Sequence, residues 1–194
     1  MNQLDEKNQK TDEEIARLVQ SGDIGAFGAL MNRYQIKLLR YGHKFLSSDK
    51  GAMEDAVQET FLKAYQNIRD FDVSRKFSSW IYRIAHNEFI NILKRKHQET
   101  SSFFSTDILF PHPAAKEKTD QPAEDNLTRA MIDKCFDQLP IKYREPLLLY
   151  YFEQLSYEEI ADVLRIPVST VGVRLKRGKE ASRIIYDKLK YNHE

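Results

Sequence analysis

Two adjoining runs decide the fold: Leu155-Ser156-Tyr-Glu-Glu159-Ile160-Ala161-Asp-Val-Leu164, then Arg165-Ile-Pro167-Val-Ser169-Thr170-Val-Gly172-Val-Arg174-Leu-Lys176-Arg177-Gly-Lys179. Ser156 and Glu159 stand at capping-box spacing, which predicts a helix start. Ile160, Ala161 and Leu164 then fall on one face, and the small Ala161 lets a second helix cross closely. Arg165 to Val168 predicts a turn, and Ser169 is expected to cap a second helix with Val171, Val173 and Leu175 inward. A short helix, a tight turn and a second helix with a polar, basic outer face make a helix-turn-helix. Ser169, Thr170, Gly172 and Arg174 lie in its first turns, where base edges are reached. Lys176, Arg177 and Lys179 follow and suit phosphates. The plainer alternative is a helical hairpin with a basic surface.

The helical period continues on both sides of this stretch. Upstream, Met131, Ile132, Cys135, Phe136 and Leu139 share a face before Pro140. A further helix over Ile141 to Gln154 would bury Leu147, Leu148, Tyr151 and Phe152, its regular part starting near Arg144 because Pro146 suits only a first turn. Thr100 to Asn126 has Ser-Ser, three prolines, alternating charges and no apolar period, and reads as a flexible linker over 98–126. Its Phe103, Phe104, Ile108, Leu109 and Phe110 exceed what an inert tether needs. Four more helices precede it. The first opens at a Thr11–Glu14 capping box, with Ile15, Leu18 and Val19 on one face. The second is capped by Asp23 and lined by Phe27, Leu30, Met31, Tyr34, Leu38, Tyr41, Phe45 and Leu46. Ser47 to Gly51 ends it. The third, about Ala52 to Arg69, carries Met53, Ala56, Val57, Thr60, Phe61, Ala64, Tyr65 and Ile68. The fourth, about Ser79 to Lys96, carries Ile81, Ile84, Ala85, Ile92 and Leu93. No segment asks to be a strand. The expected architecture is all-α: a tail over 1–10, a helical domain over 11–97, the linker, and a second helical domain over 127–194.

Composition excludes several classes. Seven Gly and six Pro in 194 residues are too few for a hairpin-rich sandwich or barrel. No G-x-G-x-x-G or phosphate-binding G-x-x-x-x-G-K-[ST] is present. Cys135 is the one cysteine, so an internal disulfide or a multi-cysteine zinc site is excluded. It lies on an apolar face and reads as core. The five histidines show no metal-binding spacing. Nothing therefore suggests catalysis, a metal or a cofactor. The polar start, Met1 to Lys10, lacks the apolar run of a signal peptide, and no stretch is apolar enough to insert in a membrane. A cytoplasmic protein is expected.

Net charge is +1, but it is unevenly spread. Arg75 to His97 holds six basic residues against Glu88, and Arg165 to Arg183 six against Glu180. Between them, Gln98 to Asn126 holds six acids against Lys116 and Lys118. Local charge, not net charge, sets where a polyanion docks. Trp80, Arg83, Asn87, Asn91 and Lys94 form one long stripe on the fourth helix. Aromatics stack on unpaired bases, amides read base edges and cations track phosphates, so the stripe suits single-stranded nucleic acid. The alternative is that Trp80 is core and the rest a solvated face. On the third helix, Asp55, Gln58, Glu59 and Leu62 recur away from the apolar stripe. An exposed Leu among acids suits a basic amphipathic partner helix, or it is another solvated face.

Asp55-Ala-Val-Gln-Glu59-Thr-Phe61-Leu-Lys-Ala64, then Phe71-Asp72, Phe77 and Trp80-Ile-Tyr-Arg-Ile84-Ala-His-Asn87, resemble the second region of bacterial sigma factors. Leu139-Pro140, Tyr143-Arg144, Leu155-Ser156-Tyr157, Glu159-Ile160-Ala161, Ser169-Thr170-Val171 and Arg174-Leu175 resemble their fourth region. Order, length and the missing middle domain match the extracytoplasmic-function subfamily. The resemblance spans about Asp23 to Lys190. It implies a non-catalytic promoter-specificity subunit. Asp55, Gln58, Glu59 and Leu62 would dock on the beta and beta-prime subunits of core RNA polymerase. Phe71, Arg75, Lys76, Trp80, Arg83, Asn87, Asn91, Lys94 and Arg95 would melt and read the −10 element as a single strand. Ser169, Thr170, Gly172, Arg174, Lys176, Arg177 and Lys179 would read the −35 element as duplex. The linker would thread towards the active-site and RNA-exit channel, and an anti-sigma factor is a partner the family often has. Ser169, Gly172 and Val173 stand where the family commonly has Gly, Lys and Ser, and Asn91 stands where it typically has Asp. The competing expectation is a helix-turn-helix regulator with an N-terminal sensing domain.

Overall fold

The computed structural model describes residues 10–46, 50–100 and 123–191. Every regular element among them is a helix: α1 Asp12–Gln20, α2 Phe27–Leu46, α3 Lys50–Gln66, α4 Phe77–Thr100, α5 Ala123–Gln138, α6 Ile141–Tyr151, α7 Tyr157–Leu164 and α8 Val168–Tyr191, with 3-10 turns at Ile24–Ala26 and Ile68–Asp70. They form two compact units, α1 to α4 in the first and α5 to α8 in the second, except that residues 162–165 group with the first. The expected linker is shortened at both ends, because residues 98–100 and 123–126 are helical. Its remainder, the hydrophobes Phe103 to Phe110 included, and the tail 1–9 lie outside the described residues.

In the N-terminal unit the capping box forms as spaced. Thr11 Oγ1 accepts the Glu14 N–H at 3.2 Å, and Glu14 Oε2 accepts the Thr11 N–H at 2.7 Å. Asp23 Oδ1 accepts the Ala26 N–H and opens the turn into α2. The core is an aromatic ladder between α2 and α4. Tyr34 meets Phe77 and Tyr82 edge-on, and Tyr41 meets Tyr82 edge-on and Phe89 at a tilt, with centroids 5.3 to 6.3 Å apart. Met53, Ala56, Val57, Phe61 and Ala64 of α3 close the other side. Buried Thr60 satisfies its hydroxyl on the Ala56 carbonyl.

Several inward assignments are corrected. Met31 and Tyr65 are exposed, since each sits at the edge of its stripe, beyond the arc that the neighbouring helices cover. On α4 the fully buried residues are Phe77, Ile81, Tyr82, Ala85 and Phe89, whereas Ile84, Ile92 and Leu93 are only half-buried. α3 starts at Lys50 and stops at Gln66, where the Asn67 side chain and N–H both donate to the Lys63 carbonyl and tighten the chain into the 3-10 turn. The side chains of Phe45 and Leu46 lie outside the described residues.

In the C-terminal unit, Cys135, Leu139, Leu147, Leu148, Leu149, Leu155, Ile160, Val163, Val171 and Leu175 are buried. Desolvation raises the Cys135 thiol above its ordinary pKa. Buried Arg144 donates through Nη2 to the Asp137 and Leu139 carbonyls, tying off the end of α5. α6 is regular from Ile141, not from Arg144. Pro146 is its sixth residue and forfeits a single helical hydrogen bond, to the Lys142 carbonyl. Tyr151, Phe152, Ile132 and Val173 are exposed, against expectation: at the end of α6, Phe152 meets Phe136 of α5 edge-on and Tyr151 lies beneath Lys179 of α8, contacts that leave both rings partly open to solvent. Gly178 permits the α6–α8 crossing. A Cβ there would lie 2.9 Å from Leu147 Cδ1 and 3.3 Å from the Tyr143 carbonyl oxygen.

Candidate nucleic-acid interface

The segment between the second 3-10 turn and α4 is a small arch. Ser74 donates its N–H and its hydroxyl to Asp72 Oδ1, and the Arg75 N–H reaches the Asp72 carbonyl at 3.0 Å. The two Ser74 bonds hold the Asp72 carboxyl below the usual carboxylate range. Arg75 and Lys76 project from the arch, exposed. Phe71 does not. Expected at the nucleic-acid face, it is 4% exposed, because the chain turns it inward against Phe77 and Trp80. Trp80 is half-buried, with its ring 4.9 Å from Phe71 and 5.5 Å from Phe77. It is thus neither deep core nor a loose surface ring, but a plane propped from below by two buried phenyls. Arg83 and Asn87 are half-buried on the same helix, and Asn91, Lys94 and Arg95 exposed beyond them. The face offers a stacking surface, two amides and a track of cations.

On α3, Asp55, Gln58 and Leu62 are exposed and Glu59 is half-buried. Lys63, which sequence reasoning missed, lies 2.8 Å from Glu88 and 3.5 Å from Glu59. The Glu88 hydrogen bond comes first among the causes that raise the Lys63 ammonium pKa, and Glu88 is itself buried. Glu59 therefore has a partner, while Asp55, Gln58 and Leu62 form the open part of the face.

The helix-turn-helix is built on a second capping box. Ser156 Oγ accepts the Glu159 N–H at 3.2 Å, and Glu159 Oε2 accepts the Ser156 N–H at 2.7 Å. α7 ends with Arg165 in the left-handed region, φ 53°, and the Ile166 N–H bonded back to the Ala161 carbonyl, a Schellman closure. α8 then starts two residues earlier than a Ser169 cap would place it. The Pro167 carbonyl receives the Thr170 and Val171 N–H groups, so Ser169 lies inside the first turn and is not the cap.

Buried Val171, Leu175 and Gly178 fix which side of α8 faces in. At 100° per residue, Ser169, Val173, Lys176 and Arg177 point outward. Thr170 and Arg174 flank them on one side, half-buried. Gly172 and Lys179 fall on the other flank. Gly172 faces Tyr157, whose ring carbon would be 3.6 Å from an added Cβ. Lys179 Nζ lies over the Tyr151 ring at 5.3 Å, and the Tyr151 hydroxyl holds its ammonium above the usual lysine range. These two do not share the outer face with the other expected residues. Val173 does, at 49% exposure. It was missed because its apolar type was read as core, although its position two residues from Val171 puts it on the opposite side of a helix.

Among the described residues no group of His, Cys, Asp and Glu could hold a metal ion, and no helix is long and apolar enough to cross a membrane. The Sigma-70 region 2 family model matches residues 30–99, and Sigma-70, region 4 matches residues 129–181. ECF RNA polymerase sigma factor SigW of Bacillus subtilis is 36% identical over 172 residues, 85% of this chain and 91% of its own length. Two solved structures share the fold. CnrH, in complex with the cytosolic domain of CnrY, aligns with TM-score 0.68 at 24% identity over 92% of this chain and 99% of its own. The sigma factor RpoE, in complex with the anti-sigma factor NepR from Bartonella quintana, aligns with TM-score 0.63 at 21% identity over 83% of this chain and 96% of its own. A regulator with a sensing domain in place of region 2 is thereby set aside. With both regions matched in order and a full-length relative alike throughout, the chain belongs to the extracytoplasmic-function sigma factors of the sigma-70 type, the non-enzymatic subunits that recognise promoters for RNA polymerase.

Proposed function

We propose that this sigma factor divides its work between its two units. The unit at 11–97 docks on the beta and beta-prime subunits of core RNA polymerase through Asp55, Gln58, Glu59 and Leu62. It opens the −10 element with Arg75, Lys76, Trp80, Arg83, Asn87, Asn91, Lys94 and Arg95, while Phe71 acts from beneath as the support of Trp80. The unit at 127–194 reads the −35 element as duplex. Ser169, Thr170, Arg174, Lys176 and Arg177 carry that contact. Val173 joins them as an apolar neighbour for a thymine methyl. Gly172 and Lys179 serve at its edge. The protein works in the cytoplasm. An anti-sigma factor regulates it, a proposal supported by the RpoE–NepR pair among its structural relatives.

The observation that carries the −10 assignment is the propped Trp80 plane beside half-buried Asn87 and a run of cations. Stacking on an unpaired base is worth about 1–3 kcal/mol and needs an opened strand. Full-length protein reconstituted with core polymerase should start transcription at a promoter selected from a DNA library. Asn87→Ala should slow opening, read by permanganate reactivity of −10 thymines, and leave closed-complex binding near wild type. Opening at the wild-type rate would make this face a solvated one.

A further inference from the structure

Helix α1 precedes the segment matched as region 2, and the proposed contacts give it no part. Three of its side-chain hydrogen bonds nevertheless reach one short segment, 48 to 64 residues further along the chain. Gln20 Nε2 donates to the Ile68 carbonyl at 2.7 Å and to the Phe71 carbonyl at 2.8 Å. Glu13 Oε1 accepts the Phe77 N–H at 3.0 Å. Those residues are the two feet of the 72–76 arch.

Within the arch, Asp72 closes the turn on Ser74 and Arg75, so its local shape does not depend on α1. Burial of Phe71 and Phe77, edge-on at 5.5 Å, places the feet. The Phe71 N–H bond to the Ile68 carbonyl, 3.2 Å, fixes the 3-10 turn internally, but apolar burial is non-directional and leaves that turn free to tilt as a unit. Hydrogen bonds are directional, so Gln20 and Glu13 set that tilt. The post they stand on is anchored independently. Asp12 holds Arg33 and the Tyr34 hydroxyl, each at 2.6 Å, and Ile15, Ala16 and Val19 are buried.

We infer that Gln20 and Glu13 are positioning residues for −10 recognition: they fix the 72–76 arch against α4, and with it the base preference of the arch and Trp80. The inference rests on the assignment of the arch and the α4 face to the −10 element. Neither side chain touches DNA in this scheme.

The test uses holoenzyme assembled from core polymerase and the full chain, incubated with duplex DNA randomised at the −35 and −10 elements. Open complexes are isolated and sequenced. Gln20→Ala removes both carbonyl partners at one foot. Two hydrogen bonds of typical net strength hold the foot by roughly a factor of ten, which is the upper bound on the expected loss of −10 base preference. The −35 preference should keep its wild-type pattern. Glu13→Ala should give a smaller loss, and Glu13→Gln, which keeps the acceptor, should recover most of it. This pair carries the test at the second foot should Gln20→Ala not fold. Arg75→Ala with Lys76→Ala is run beside them. If that pair alters −10 preference while Gln20→Ala and Glu13→Ala only lower occupancy evenly across sequences, α1 is a plain support and the inference is overturned. If Arg75→Ala with Lys76→Ala leaves −10 preference untouched, the assignment of the arch itself fails, and the inference falls with it.

Discussion

Two glycines of α2 make a paired test of how tightly α4 is seated. A Cβ at Gly42 would lie 2.8 Å from Phe89 Cζ, 3.1 Å from Phe89 Cε1 and 3.1 Å from Met53 Cγ. Ordinary carbon contacts are about 3.5–4.0 Å. Phe89 is fully buried and has Tyr41 against it at 5.5 Å, so the ring has nowhere to retreat without moving α4. Overpacking of this kind costs about 1–3 kcal/mol, against roughly 1 kcal/mol gained from exchanging Gly for Ala in a helix. Gly42→Ala should therefore destabilise the N-terminal unit by up to about 2 kcal/mol. At Gly28, in the same helix, an added Cβ meets nothing within 4 Å. Gly28→Ala should stabilise by about 0.5–1 kcal/mol, the lower end because it sits in the first turn. The two sites lie about 21 Å apart along the helix, so their effects should add. Trp80 is the single tryptophan and belongs to this unit, so its fluorescence during urea unfolding reports the N-terminal unit alone. The gap between the two variants, about 1–3 kcal/mol, is the packing term. If Gly42→Ala proves as stable as Gly28→Ala, α2 and α4 are not as closely locked as the distances state.

Three further outcomes follow, two from single sites and one from a pair. Arg165 holds a left-handed backbone at the end of α7, where glycine is unstrained, so Arg165→Gly should stabilise the C-terminal unit by about 0.5–1 kcal/mol, measured by hydrogen exchange of α7 and α8 amides. The buried Tyr34 hydroxyl donates to Asp12, and burial, then the Asp12 charge, pushes its ionisation far above the ordinary tyrosine range. The unfolded chain therefore releases this proton first, and stability of the N-terminal unit, intact below about pH 10, should fall as pH rises beyond it. Tyr34→Phe should flatten that fall in Trp80-monitored urea midpoints. Reversing Asp55 and Glu59 to Lys should weaken co-purification with core polymerase by roughly tenfold or more. The fold should survive, because the 2.8 Å Lys63–Glu88 pair stays in place when the longer Glu59 arm is lost. Undiminished co-purification would move the docking face elsewhere.

What could be read from the sequence and what could not divides along the range of the interactions. Both capping boxes, Thr11 with Glu14 and Ser156 with Glu159, are contacts over three residues, and both form as spaced. The helical stripes were legible for the same reason, since periodicity gives the direction in which a helix faces its neighbours. It does not give the width of the arc those neighbours cover. Met31, Tyr65 and Ile132 each lie at an edge that only the packed partner defines, and all three are exposed. Val173 is a different miss: two residues from both Val171 and Leu175, it falls on the opposite side of the helix, as periodicity alone dictates. Phe71 failed in the opposite sense. The family resemblance placed it among the residues that read the −10 element, and the presence of Phe77 and Trp80 beside it makes it core. Lys63 could not be placed without knowing that Glu88, 25 residues on, is buried opposite it. The bonds from α1 to the arch leave no local trace at all. Gln20 and Glu13 look like ordinary polar residues on an amphipathic helix, and their partners are backbone atoms, which carry no sequence signal. The residues that would touch DNA are thus visible by type, whereas those that would aim them are visible only once the chain is folded. Base preference in a fold of this kind need not reside in the contacting side chains alone, and two chains with identical contact residues can differ in it through the helix behind them.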